Sequence, residues 1–536
     1  MTASRRRRAA LPALAAVALL LVAAGAAGIL AFNRLAPAHP QPGGRINEAL
    51  VVDGPLIMLP AFAETSNSRD VSSLLYRGLT RTGPDAKPAG ELARSWTVDS
   101  AARTFTFHLR PGLRWSDGAP ITSADAVYTL SVLQSDADAR STAGQAWAGI
   151  TATSPDPLTV TYSLPQSSPA FLTLTNIGLL PEHSLQPRPV KTLRSATDAP
   201  TSGPFVVAVS AHDHVLLRRN RHAFETPWID ELDLRLYDSR ASALQALLAA
   251  EVDLYAGLTP AEARRVGAAV NRRVVHGSTF AYAELLFNQK IEGLADDHVR
   301  KAVGLAINRD ALVTSVLGGD AALADSPVPP AVRWAGLPGR QLAFDRAAAG
   351  RELDAAGWKL HGLTRARDGR TLKLKLTTPQ GQPYASVAAA IERDLAAVGI
   401  ATSTQGLGQE ALLSQLQSHQ FEMALTALDN GPDPDIYVFW HSSQAGPGGF
   451  NFSGMAANDA LDKALEDGRA TADYARRRTA YLEAQRQILA AHAAVFLYTP
   501  EALVGVREVV MGVTLPPGGQ RYDLVQGWFV NSRRSL

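Results

Sequence analysis

Thr104–Leu130 reads TFTFHLRPGLRWSDGAPITSADAVYTL, and its periodicity changes within a few residues. Phe105, Phe107 and Leu109 alternate with polar neighbours, the two-residue repeat of a half-buried strand. Arg110-Pro111-Gly112 turns the chain, Leu113–Trp115 returns, and Asp117-Gly118 marks a second turn. Thr122 or Ser123 then caps a helix beginning SADAVYTL, with Asp125 near its positive end.

Strand and helix signals alternate on both sides of this stretch. Upstream, EALVVDG reads as a buried strand, and SRDVSSLLYRGL as a helix with Val71, Leu74, Leu75 and Leu79 on one face. Downstream, SGPFVVAVSAHDHVLLRRN reads as two strands joined near His212–His214. SRASALQALLAAEVDLYAGL is predicted to be a helix leading into a strand, and Val299–Leu317 another helical stretch. DRAAAGRELDAAGW ends a helix at Gly357, LKLKLTT alternates as a strand, and YASVAAAIERDLAAVGI is an amphipathic helix running to Gly399. DYARRRTAYLEAQRQILAAHAAVFLY is a long helix running into an apolar strand. Strands separated by helices argue for open α/β sheets. A chain of 536 residues exceeds one compact core, which predicts two or three domains.

Composition removes several classes of function. The chain is 46% apolar and 19% charged, ordinary for a globular protein. Its formal charge of +2 includes Arg5, Arg6, Arg7, Arg8 and Arg34, all in an N-terminal stretch without acids; 52 basic residues less these five leaves 47 against 50 acidic. Such a body has no electrostatic footprint for nucleic acid. The absence of cysteine excludes disulfides, thiolate nucleophiles, zinc–cysteine sites and a lipid-modified N-terminal Cys. Ala9–Phe32 is an uncharged run after the arginines, and as a helix it reaches roughly 36 Å, enough to cross a hydrocarbon core. It is read as an uncleaved anchor or a cleaved signal, with the arginines left in the cytoplasm and the body exported. Residues 36–44 form a Pro/Gly linker.

The stretch LARSWTV…TFTFHLRPGLRWSDGAPITSADAVYTLSVL resembles the signature of bacterial extracellular solute-binding proteins of family 5, the oligopeptide/dipeptide/nickel-binding type. SGPFVV…LRRN, AEVDLYAGL, LLFNQKIEGLADDHVRKAVGLAINRDALV, ELDAAGW and DPDIYVFWHSS…NFSG are similar to further family segments, in the family's order. The resemblance covers Arg45–Leu536 and implies a two-lobed periplasmic-binding-protein-like fold, type II in its large three-subdomain variant, with ligand between the lobes. It places lobe 1 at 45–279, with a subdomain at about 81–200, lobe 2 at 280–498, and a C-terminal return to lobe 1 at 499–536. It implies a monomeric, extracytoplasmic substrate-binding protein of an ABC importer that delivers peptides or peptide-like solutes to permease subunits, with no cofactor. A membrane-tethered sensor or scaffold on the same fold is the alternative. The chain departs from the family in lacking the lipidated Cys, in having SAAR before the Thr104 strand, in lacking an aromatic just before Asp429, and in an apparent insertion at Pro432.

Candidate ligand residues follow from the resemblance. Asp429, in LDNG, matches an Asp that pairs with a peptide's α-ammonium group, with Asn430 beside it; a turn cap is the competing reading. Asp433 and Asp435 flank Pro434 and read as turn and helix-cap residues. Trp440, and Phe450 with Asn451 after AGPGG, are expected in the cleft wall, Trp440 also fitting core packing. Ser66 and Asn67 lie in the loop where lobe 1 faces the cleft, or cap the helix that follows. Trp96 and Trp115 are assigned to packing. DNGPDPDIYVFW has no closing Glu for a calcium loop, and His212–His214 reads as a hairpin tip rather than a metal site. No catalytic motif is found among the elbow, zincin, Walker and dinucleotide patterns.

Overall fold

Phe105, Phe107 and Leu109 are fully buried on the strand Thr104–Leu109, which lies between Ala93–Val98 and Thr159–Ser163 in a four-stranded antiparallel sheet. In this computed structural model residues 39–135, 142–194, 196–339, 342–446, 448–518 and 521–531 are described. The Ala9–Phe32 run lies outside them; among the described residues no helix is long and apolar enough to cross a membrane.

The helix expected after the second turn spans Ser123–Ser135. Its start is held by Asp125, whose carboxylate accepts from Thr122 N–H at 2.8 Å and Glu182 N–H at 2.9 Å. The Ser123 hydroxyl is instead bonded to Ser154 Oγ at 2.6 Å. Trp115 is buried, with its indole Nε1 directed at the same Asp125 carboxylate at 3.4 Å.

A twelve-stranded sheet spans the rest of the body. Its main path runs Ala401–Leu407, Lys373–Pro379, Met423–Asp429, Ala281–Phe287, Ala494–Arg507, Leu254–Ala256, Arg45–Val51, Glu231–Tyr237, His214–Arg219, Phe205–Ser210. The strand Ala494–Arg507 lies at its middle and is shared by both halves. Residues 494–498 pair with Ala281–Phe287, and residues 501–507 pair with Arg272–Ser278. Two antiparallel stretches therefore carry the chain between the halves, tied where Thr279 Oγ1 donates to Pro500 O at 2.6 Å.

The apolar cores divide at the same place. Two clusters, one containing Leu50, Phe105 and Trp528 and one containing Leu244, Tyr255 and Leu503, cover the faces of the first half. Two others, containing Leu285, Leu376 and Ile391, and Tyr282, Trp440 and Phe496, cover the second. Apolar side chains alternating to both faces are what a sheet with helices on each side requires.

Three elements differ from the sequence reading. The helix Ser66–Leu75 stops before Leu79, because Tyr76 is extended and the chain beyond bonds elsewhere: Arg77 N–H to Ser202 Oγ at 2.9 Å, Leu179 N–H to Arg77 O at 2.9 Å. Val299–Leu317 is broken after Ala306, where Asn308 N–H donates to Asp394 at 3.0 Å and the Asn308 side chain caps a new turn. The strand after the last long helix continues well past Tyr498, to Arg507.

Candidate functional site

In open α/β sheets the carboxyl ends of parallel strands form the natural crevice for ligands, because the loops there diverge to helices on opposite faces. Arg45–Val51 is parallel to Glu231–Tyr237 and to Leu254–Ala256. Beyond their ends lies a cavity of about 320 Å³ lined by Ser66, Asn67, Asp70, Arg240, Tyr255 and Arg521, among others. Thr65 is the cap of the adjoining helix, accepting from Ser68 N–H at 3.1 Å, so Ser66 and Asn67 occupy the first turn. Asn67 Nδ2 donates to Val51 O at 2.6 Å and fixes the helix to the strand end.

Beneath this cavity Arg521 lies 3.2 Å from Glu48 and 3.4 Å from Asp70, while Tyr522 donates to Glu48 Oε2 at 2.8 Å. Burial is the largest influence on Glu48 and pushes its carboxyl up; Arg521 and the Tyr522 hydroxyl pull it back.

The second half of the sheet repeats the arrangement. Lys373–Pro379 is parallel to Ala401–Leu407 and to Met423–Asp429. At their carboxyl ends opens a cavity of about 580 Å³, with Pro379, Leu407 and Leu428 at its edge and Leu412 and Leu416 on the helix Gln409–Gln417. Glu284 lines it from the strand Ala281–Phe287, in register with Thr426 on one side and Phe496 on the other. Its Oε1 accepts from Thr426 Oγ1 at 3.4 Å, and its buried Oε2 has no protein partner among the described residues. Burial pushes this carboxyl up to about 8, with the Thr426 bond opposing.

The expected site residues are distributed over these features. Ser66 and Asn67 line the first cavity; Trp440 and Phe450 line the second. Trp440 is buried with its ring 6.2 Å from Phe496, while Phe450 is 42% exposed. Asp429 ends its strand in register with Ala281, beside the crossing between the halves; it is exposed, and its Oδ1 accepts from Gly431 N–H at 2.9 Å. Asn430 Nδ2 donates to Pro327 O at 3.2 Å. Asn451 is turned inward: its amide donates to His441 O at 3.1 Å and accepts from Ser453 Oγ at 2.7 Å, which braces the loop.

Asp433 and Asp435 shape the turn, Asp433 accepting from Asp435 N–H at 3.1 Å and Asp435 from Tyr437 N–H at 3.1 Å. Each also meets an arginine, Arg477 at 2.6 Å and Arg469 at 2.7 Å. Glu284, Thr426 and Arg521 were not anticipated from the sequence. The available signal for Glu284 was a lone acid inside the apolar run YAELLF, which only a buried role accommodates.

A sheet in two halves, joined by paired crossing stretches and hollowed at the carboxyl ends of both, defines a solute-binding protein of the periplasmic type. Solved structures share the fold. The ABC transporter substrate-binding protein CtaP of Listeria monocytogenes superposes with a TM-score of 0.78 at 21% identity, covering 92% of this chain and all (100%) of that one. The oligopeptide-binding protein AppA of Bacillus subtilis, solved with a nonapeptide, gives 0.68 at 23% identity over 92% and 100% of the two chains. In sequence AppA is 24% identical over 507 residues, 91% of this chain and 92% of its own. Protein XP55 of Streptomyces lividans is 28% identical over 445 residues, 82% and 80% of the respective chains. The chain belongs to the bacterial extracellular solute-binding proteins, family 5, whose model matches residues 87–449.

Proposed function

We propose that this protein is the solute receptor of an ABC importer and that it encloses a peptide or peptide-like solute between two lobes. The observation that carries the reading is the pair of cavities, each at the carboxyl ends of parallel strands and separated by the two crossing stretches. The nonapeptide held by AppA and the ABC transporter role of CtaP support it. Lobe 1 would comprise residues 45–279 and 499–536, and lobe 2 residues 280–498. Hinge bending at Thr279 and Pro500 would open and close the cleft. Ligand shifts that equilibrium by contacting the closed form more strongly than the open one.

Within the cleft, Asp429 would meet the α-ammonium group, since an exposed carboxylate beside the crossing becomes enclosed when the lobes close, and a charge-assisted bond offsets the cost of burying the cation. Ser66 and Asn67 would contact the solute from lobe 1, and Trp440 and Phe450 would form apolar wall on lobe 2. Ala9–Phe32 would tether the monomeric receptor at the outer face of the membrane or direct its export.

Native mass spectrometry of residues 45–536, purified without denaturant, tests the reading. A retained mass that fragments into amino acids is the expected result. A protein that is empty and shows no thermal shift with a peptide library would overturn it. Sequencing the mature N-terminus tests the tether: retention of Arg5–Arg8 is expected for an anchor, and a start near Arg45 for a released receptor.

A further inference from the structure

The cavity in the second half of the sheet has walls of one kind and a floor of another. Leu286, Leu407, Leu412, Leu428, Phe439 and Phe450 make it apolar, yet Glu284 faces it from the central strands. Burying a carboxyl among apolar groups costs several kcal/mol unless a donor meets it. Thr426 supplies one weak contact to Oε1; Oε2 has none. An apolar occupant would leave Oε2 without a partner, whereas a cationic donor on the ligand would pair with the ionised form of the carboxyl.

The surroundings indicate what kind of donor. Among the described residues no arginine, lysine or histidine lines the cavity. On the strand of Glu284 the neighbouring ionisable group is Tyr282, which lies near Asn430 and Trp440. The strand Met423–Asp429 presents Thr426 and ends in Asp429, and Ala494–Arg507 sets Phe496 opposite. The helix Tyr384–Ala396 offers Tyr384, the helix Gln409–Gln417 offers Glu410, which is exposed, and His441 follows Trp440. Among the described residues no cation competes for the carboxylate from the cavity lining, and a charged donor makes a bond about twice as strong as a neutral one. With Oε1 already engaged, one free oxygen suits the point charge of an ammonium better than the two-pronged fork of a guanidinium.

We infer that the Glu284 cavity takes an apolar stem ending in an ammonium group, the side-chain chemistry of lysine, in a solute bound according to the reading proposed above. The Glu284 carboxyl is mostly protonated at neutral pH, being raised to about 8 by burial. An arriving ammonium pairs with the ionised form, so binding displaces the carboxyl proton to solvent. Affinity for the cationic solute therefore rises by about tenfold per pH unit below pH 8 and levels off above it.

The test compares the tripeptides Ala-Lys-Ala and Ala-norleucine-Ala, which differ in the terminal charge of one side chain, by calorimetry in buffers of different ionisation enthalpy. The expected result is at least a tenfold preference for the lysine peptide at pH 8, with release of close to one proton near pH 6.5. Glu284→Gln should abolish the preference and the proton release while still binding the norleucine peptide. Proton release in the unaltered protein tests the same point if that variant fails to fold. Equal affinity for the two peptides without proton release would overturn the role of Glu284 and leave the peptide-receptor reading standing. If neither tripeptide binds while a peptide library does, the lysine pocket falls alone; if the library also fails, both fall.

Discussion

The Arg477 guanidinium lies 2.6 Å from the Asp433 carboxylate, with side-chain exposures of 3% and 11%. Arg477 also donates through Nε to Gly468 O at 3.1 Å, so the pair ties the turn after Met423–Asp429 to the two helices Asp459–Arg469 and Tyr474–Ala490. Of three carboxylates in DNGPDPD, two are committed to structure and one, Asp429, stands exposed at the strand end.

Removing one member of that pair strands the other. Asp433→Ala is expected to lower the unfolding free energy by about 3–5 kcal/mol, measured by urea denaturation. The double variant Asp433→Ala/Arg477→Met should recover part of the loss. A single variant as stable as the unaltered protein would show the pair to be dispensable.

Asp429→Ala should behave in the opposite way. Its carboxylate is exposed and bonded within its own turn, so melting of the empty protein should stay nearly unchanged. Affinity for a peptide with a free amino terminus should fall at least tenfold, by roughly 1.4 kcal/mol or more. Unchanged affinity in titration calorimetry would remove Asp429 from the site.

Glu284 makes stability depend on pH. Its carboxyl stands at about 8 in the fold against an ordinary 4.5, so between these values the folded protein holds a proton that the unfolded chain has released. The stability it contributes is complete below the lower value and is lost as pH rises through the upper one. Glu284→Gln, which cannot ionise, should gain stability relative to the unaltered protein by up to about 1.4 kcal/mol per pH unit across that window. A difference in unfolding free energy that is the same at pH 5 and pH 8.5 would refute the shift.

Tyr522→Phe removes the hydroxyl that donates to Glu48 Oε2 at 2.8 Å. Loss of a donor to a buried carboxyl should cost about 1–3 kcal/mol in chemical denaturation. Cavity binding has no direct stake in this bond, and the affinity of the variant for ligand should be retained.

Contacts away from the crossing also link the two parts of the chain. Lys87 Nζ sits 5.1 Å from the centre of the Tyr474 ring, and Ser167 Oγ donates to Arg469 O at 2.6 Å. With Lys87→Ala and Ser167→Ala combined, the radius of gyration of the empty protein in X-ray scattering should rise and ligand affinity should fall. An identical scattering curve would mean these contacts do not hold the parts together.

Local pattern was sufficient where one segment supplies its own partners. The alternation of Phe105, Phe107 and Leu109, the turn at Asp117-Gly118 and the helix from Ser123 could be read from neighbours a few residues apart. The helix beginning at Ser66 was equally legible, but its end was not: Arg77 is drawn off by bonds to Leu179 and Ser202, and Leu79 by bonds to Glu91 and Ala93, partners that lie outside the helix's own window.

Site residues divide along the same line. An acid in Asp-Asn-Gly at a strand end is visible in sequence, and Asp429 is found there. The arginines that claim Asp433 and Asp435 lie 44 and 34 residues further on, and Asn451 is turned inward by bonds to His441 and Ser453. Glu284 showed only as an acid in an apolar run.

Sequence by itself determined the alternating α/β elements and the family, because hydrophobic period and turn residues are properties of the chain. Tertiary structure decided which carboxylates are spent and which remain. A carboxylate's role depends on the dielectric around it and on the partner that reaches it, and both are set by segments that only folding brings together: Arg477 to Asp433, Arg521 to Glu48, and, at Glu284, a cavity lining without a cation among the described residues.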